Sequence, residues 1–381
     1  MKIGILTLPF NNNYGGFLQA YALTTVLKRM GHDVWFIDLQ RKIQRNVLKI
    51  HWDFIKGFIK RYILRKDNFY SIIPSKENRY NELNRIVTWQ YTRPFVDKYL
   101  CPKISPVYSS KELKYLIDTI HFDVFISGSD QIWRPKFMSY FLKTTFFDFL
   151  DGRKEKRIVY AASFGVDEWE YPPELTKECA ELTQKIDAVS VREKSGVALC
   201  KQFLGRDAQW VLDPTMLLDK EDYIALIENA QIKQSAGDLF CYLLDKTDEK
   251  QKATDRMAKQ LSLTTFCMER RDNYTNLEDR IVEPVETWLR GFYDAKFVIT
   301  DSFHGLVFSI IFNKPFFCFA NEKRGNNRIV SLLDLFGLGN RMVTATTMDK
   351  AENYNIDWEF VNKQIKIWQA ESNQYIEGNL T

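Results

Sequence analysis

Apolar residues along the chain fall into short runs of strand length, separated by polar turns and by stretches whose apolar positions recur every three or four residues. Positions 3–8 form such a run, and 34–39 the next. Between them Ala20, Leu23, Leu27 and Met30 share one face of a helix over about 17–30, stopped by Gly31. The turn Asn11-Asn12-Asn13-Tyr14-Gly15-Gly16 joins the first strand to that helix. Strand, glycine turn, helix and strand in this order make a βαβ unit, whose crossover requires a parallel sheet. Further strands are predicted at 124–127, 158–163, 188–191 and 209–212. Asp213-Pro214-Thr215 breaks the series and marks the expected domain boundary. A second set follows at 239–244, 264–268, 297–300, 316–319 and 342–344. In the tail, a helix over 357–376 carries Trp358, Val361, Ile365 and Trp368 on one stripe.

The pattern therefore predicts an α/β protein. Two Rossmann-like domains, 1–215 and 216–350, face each other across a cleft. A C-terminal helix within 351–381 packs back on the first. A chain of 381 residues suits two cores better than one.

Composition narrows the class without changing the fold. Apolar content of 45% and charged content of 27% are ordinary globular values. A formal charge of +4 suits anionic small molecules or an anionic surface, and is too mild for a dedicated nucleic-acid binder. The six cysteines show no CxxC pair, which argues for reduced thiols rather than a disulfide frame or a zinc site. No signal peptide or membrane-spanning run is read, so a cytoplasmic protein is expected. Segment 41–70 stands apart, with nine Lys/Arg against two Asp among interleaved aromatics. A basic amphipathic helix there would suit an anionic membrane surface, or would pack its apolar face on its own domain.

Candidate chemistry gathers at the ends of the predicted strands, where open α/β sheets place their sites. Segment 296–320, KFVITDSFHGLVFSIIFNKPFFCFA, holds Ser302 and His304, one of only four histidines. A histidine there can bind an anion or exchange a proton near neutral pH, or merely cap the helix. After strand 124–127, Asp130 could act as a base on a hydroxyl, Gln131 could orient it, and Trp133 could stack on a sugar face. The alternatives are an N-cap and a core aromatic. Arg192 at the end of 188–191 offers a planar fork to a carboxylate or phosphate, or serves a structural ion pair. Arg324 and Arg328 lie in a basic loop, while Asn13, Tyr14, Gly15 and Gln19 follow the first strand.

Taken together, the blocks GILTLPFNNNYGGFLQAYAL, DVFISGSDQIWRP, YAASFG, SVREKSG, VLDPT and VITDSFHGLVFSIIFNKPF, ending with RIVSLLDLFGL, resemble the polysaccharide pyruvyl transferase family. The resemblance spans about residues 1–345. It implies a fold like the GT-B glycosyltransferases, with the first domain on the acceptor side and the second on the donor side. It also implies phosphoenolpyruvate as donor and co-substrate, with no other cofactor and no metal. The acceptor would be a sugar of a surface polysaccharide, such as a capsule or exopolysaccharide, or of its lipid-linked precursor. The product would be a pyruvate ketal. On this resemblance His304 is the acid and Asp130 the hydroxyl base. Arg192, Ser302, Arg324 and Arg328 hold the donor; Asn13, Tyr14, Gly15, Gln19, Gln131 and Trp133 hold the acceptor. Many members carry an arginine two residues before the histidine, where this chain has Ser302. Two rivals remain open: a GT-B glycosyltransferase using a nucleotide sugar, with Glu283 on the ribose, and a non-catalytic sugar-binding module. A lipid-linked acceptor would also suit peripheral contact of 41–70 with the inner face of a membrane.

Overall fold

The computed structural model describes residues 1–10, 12–40, 87–100, 107–138, 140–268, 281–321, 325–348 and 355–381. Segment 41–70 and Arg324 lie outside them. Among the described residues eleven strands form two sheets, and every strand pairing is parallel. The first contains β1 (Lys2–Leu6), β2 (Asp33–Ile37), β3 (Val124–Ser127), β4 (Lys156–Ala162), β5 (Ala188–Val191) and β6 (Gln209–Trp210), in the order β2-β1-β3-β4-β5-β6. The second contains β7 (Leu239–Tyr242), β8 (Thr265–Phe266), β9 (Phe297–Thr300), β10 (Phe316–Phe319) and β11 (Met342–Val343), in the order β11-β10-β9-β7-β8. All eleven expected strands are present. Several end a residue or two early, because the last apolar residues turn into the loops that line the site.

Side-chain alternation explains why both faces of each sheet are covered. Ile3, Ile5, Val124 and Ile126 point to one core of the first sheet, while Leu6 and Phe125 point to another. In the second sheet Phe240, Val298 and Cys318 face the first of these cores, and Leu239, Cys241, Ile299 and Phe317 face a third. One apolar cluster therefore runs through both domains. It is filled by α1 (Tyr14–Arg29), α2 (Lys220–Asn229), α3 (Val285–Asp294) and α4 (Phe303–Ile311). Tyr14 stacks on Trp288 with ring centroids 5.3 Å apart, and Tyr223 meets the face of Phe308 edge-on at 4.9 Å.

Helix α1 begins at Tyr14, a turn earlier than its apolar spacing predicts, so Gly15 and Gly16 belong to its first turn rather than to a loop. Downstream lie α5 (Asn327–Leu335) and α6 (Trp358–Leu380). The latter returns to the first sheet: Tyr375 Oη donates to the Val159 carbonyl (2.9 Å), Ser372 Oγ accepts from the Leu212 amide (3.0 Å), and Trp368 packs on Trp210. No helix among the described residues is long and apolar enough to cross a membrane.

Phe308 is fully buried where the shared core joins the domains. Phe308→Ala should therefore cost about 3–5 kcal/mol. Urea unfolding should show both domains losing stability in one transition.

Candidate active site

The carboxyl ends of both sheets open onto one cavity of about 550 Å³. Asn13 reaches it from the turn after β1, Gly15 from the first turn of α1, and Asp130, Gln131 and Arg134 from the turn after β3. From the second sheet come Asp245 after β7, Ser302 and His304 after β9, and Asn321 after β10. Arg328 of α5 completes the wall, its guanidinium 5.5 Å from the centre of the Phe303 ring. Loops converge here because the strands of each sheet run parallel, which gathers that sheet's carboxyl ends on one edge.

His304 occupies the first turn of α4, behind the N-cap Ser302, whose Oγ accepts from the Gly305 amide at 3.3 Å. Its imidazole packs against Gly15 of α1. A Cβ built on Gly15 would fall 1.9 Å from His304 Nδ1, so only glycine permits this approach. The second domain's histidine thus packs directly on the first domain's glycine turn.

A buried charge cluster supports the wall. Arg192 donates through Nη1 to Asp213 Oδ2 (2.6 Å) and through Nη2 to Asp130 Oδ1 (2.9 Å), and its side chain is fully enclosed. Its guanidinium also covers the Phe303 ring at 4.6 Å. Burial alone would raise the pKa of Asp130, but Arg192, His304 and Arg328 outweigh it and hold the carboxyl below its usual range. Burial likewise opposes ionisation of Asp213, where contact with His304 and Arg192 drives the carboxyl far down. Arg328 moves the other way: burial, then repulsion from Arg192, lowers it to about 10, which still leaves a cation at neutral pH.

A sequence profile of the polysaccharide pyruvyl transferase family matches residues 13–323, which carry most of this wall. The chain belongs to this family. No curated protein matches it in sequence. Among solved structures it is similar to an S. aureus MnaA–UDP co-structure, at 11% identity, covering 98% of this chain and 92% of that one, with a TM-score of 0.50. It also resembles Methanocaldococcus jannaschii UDP-GlcNAc 2-epimerase in complex with UDP-GlcNAc and UDP, at 12% identity, 100% and 99% coverage and a TM-score of 0.49. Arabidopsis thaliana UGT89C1 complexed with UDP-L-rhamnose is a third, at 9% identity, 98% and 99% coverage and a TM-score of 0.49. The likeness to the MnaA structure is one of fold: two parallel-sheet domains of the GT-B kind.

Within this pyruvyl transferase fold, the cavity gathers His304, Asp130, Ser302, Arg328, Asn13, Gly15 and Gln131. Four expected site residues stand elsewhere. Arg192 does not line the cavity as an anion clamp, because Asp130 and Asp213 occupy its fork. Trp133 is no sugar platform: it is fully buried, stacked on Phe146 at 4.7 Å in the core behind the first sheet. Gln19 is turned inward, donating to Thr7 Oγ1 and accepting from the Ser129 amide, and so shapes the turn after β3 rather than touching an acceptor. Tyr14 points at the domain junction, where its hydroxyl donates to the Glu283 carbonyl at 2.9 Å. Arg324 lies outside the described residues.

Sequence reasoning passed over Phe137, which is 46% exposed at the cavity, and its neighbours Lys136 and Arg134. Arg134 is held by both carboxylate oxygens of Glu170, each at 3.0 Å. The signal was available in Trp133-Arg134-Pro135: the aromatic stays in the core, and the residues after the proline carry the rim.

Two expectations follow. Arg192→Ala strands two buried carboxylates and should cost about 3–5 kcal/mol, read as a lower unfolding midpoint with or without ligand. The folded pKa values of Asp130 and Asp213 lie below the ordinary carboxylate range. The stability they contribute is therefore complete above about pH 4 and is lost as pH falls through their depressed values. Urea midpoints measured from pH 6 down to pH 3 should fall, and should fall less in Asp130→Asn.

Proposed function

We propose that this protein transfers the three-carbon unit of phosphoenolpyruvate to two hydroxyls of a surface-polysaccharide sugar or its lipid-linked precursor, forming a pyruvate ketal and releasing phosphate. The observation that carries the reading is that His304, a proton carrier, and Arg328, a cation, share one cavity with the N-terminal end of α4. A small trianion needs cationic and amide donors around it, and α4 presents its positive end where Ser302 stands in for the arginine common in the family.

In the reaction, His304 as imidazolium gives a proton to the methylene carbon of the donor, which becomes a methyl group. The neighbouring carbon becomes an oxocarbenium centre. One sugar hydroxyl attacks it, forming a C–O bond, and that hydroxyl's proton restores His304. The second hydroxyl then displaces phosphate, which departs with the electrons of its C–O bond and takes up the second hydroxyl proton. The equation balances with no redox partner. Asp130 Oδ1 is committed to Arg192, while Oδ2 is 3.5 Å from Asn13 Nδ2. A carboxylate held this acidic is a weak base but a strong hydrogen-bond acceptor, so its part is to hold and polarise the attacking hydroxyl. Phe137 offers the sugar an apolar face in place of Trp133, and Lys136 beside it suits a phosphate of a lipid-linked acceptor.

The nucleotide-sugar alternative asks Glu283 to bind a ribose. That residue is exposed, does not line the cavity, and contributes its carbonyl to Tyr14.

Calorimetry with phosphoenolpyruvate tests the proposal. Saturable binding is expected, weakened about 10- to 100-fold in Arg328→Ala, as for loss of a charged hydrogen bond. His304→Ala should keep donor binding and lose phosphate release in the presence of acceptor. Binding of a nucleotide sugar with no phosphoenolpyruvate signal would overturn it.

A further inference from the structure

The segment Asp213-Pro214-Thr215 interrupts the strand series, and the structure places its carboxylate directly beneath the site. Asp213 Oδ1 accepts from the Thr215 amide (3.0 Å) and from its hydroxyl (2.6 Å). Oδ2 accepts from Arg192 Nη1 (2.6 Å) and from Ser129 Oγ (3.4 Å), and lies 3.8 Å from His304 Nε2. That nitrogen is enclosed and has no hydrogen-bond partner among the described residues. Its separation from the carboxylate is about 1 Å longer than an N–H···O bond, so a small shift of the ring on substrate binding closes it. The other ring nitrogen, Nδ1, lies against Gly15 at the cavity wall.

These two environments make the nitrogens unequal. A buried carboxylate kept ionised by an arginine favours an N–H facing it and opposes a bare lone pair there. Other charged groups around the ring are Asp130 from the turn after β3, Arg192 after β5 and Arg328 of α5. Of the two carboxylates near the ring, Asp213 is the one found in ion-pair range of the imidazole. We infer that Asp213 is a positioning residue for His304: it holds a proton on Nε2, so that Nδ1 is the nitrogen that gives and receives a proton in the cavity. The inference rests on the reading of His304 as the proton carrier, but the tautomer it assigns belongs to the protein alone.

The test is nitrogen NMR of the full-length protein labelled with ¹⁵N-histidine, with the His304 ring signals assigned through His304→Gln. At a pH where the ring is neutral, wild type should show a protonated Nε2 and an unprotonated Nδ1. Asp213→Asn should lose that preference, and phosphate release should fall about 10²-fold. Phosphoenolpyruvate affinity should stay within about threefold, since Asp213 is not on the cavity wall. Thr215→Val, which removes one donor to Asp213 and leaves its charge, should keep the wild-type tautomer. A wild-type spectrum with the proton on Nδ1 would overturn the inference without any variant, as would an Asp213→Asn protein with an unchanged tautomer. Should Asp213→Asn not fold, the wild-type spectrum still decides. A failed donor assignment would show instead as absent phosphoenolpyruvate binding with the Nε2–H signal intact.

Discussion

The site depends on one buried cation. Arg192 sits with no exposed side-chain surface between Asp130 and Asp213, so its one positive charge is shared by two carboxylates that would each resist burial alone. The three come from the ends of β5, β3 and β6, and the ion pairs therefore set the relative positions of those loops. The left-handed backbone of Asp130, with φ of 71°, is an uncommon conformation for a non-glycine residue, and its carboxylate is tied back to Arg192 and to the Gln131 amide. Energetically the cluster need not stabilise the fold much in net terms. What it secures is geometry: without Arg192, two carboxylates would be left close together with no shared partner.

The second constraint is the contact between domains. His304 rides on α4, whose apolar residues belong to the same core as α1. The imidazole reaches across to Gly15, and a side chain there would occupy its place. Tyr14, one residue earlier, stacks on Trp288 and bonds the Glu283 carbonyl. Adjacent positions of one helical turn thus brace the junction and open the site. Gly325, with φ of 86°, approaches the Gly165 carbonyl from the opposite domain so closely that an added Cβ would lie 1.9 Å from it. The cleft is therefore bounded by one contact of backbone on backbone and one of a ring on backbone, both of which leave no room for a side chain at the glycine.

Much of the fold was legible because apolar runs of strand length between helical patterns have few solutions other than parallel α/β sheets. The site was legible in part. Position after a strand put His304, Asp130, Gln131 and Ser302 among the candidates, and all four line the cavity, since strand ends converge by topology. Residue type alone misread Arg192 and Trp133. A guanidinium suits a ligand phosphate and a buried aspartate equally well, and an indole suits a sugar face and a core equally well. What separates the cases is burial and the identity of partners 62 and 21 residues away. Asp213 was misjudged for a related reason. Asp-Pro after a strand looks like punctuation until the chain folds it under the histidine.

By itself the sequence determined the element types, their order, the parallel sense of both sheets and the family, because these follow from local periodicity and from blocks of contiguous residues. Tertiary structure alone decided which charges face the cavity and which pair with one another, which aromatic lies at the cavity rim, and which nitrogen of His304 faces a carboxylate. Those outcomes depend on dielectric environment and on ångström-scale distances between segments far apart in the chain. Coulomb attraction and desolvation change steeply with both, and a linear pattern of residues specifies neither.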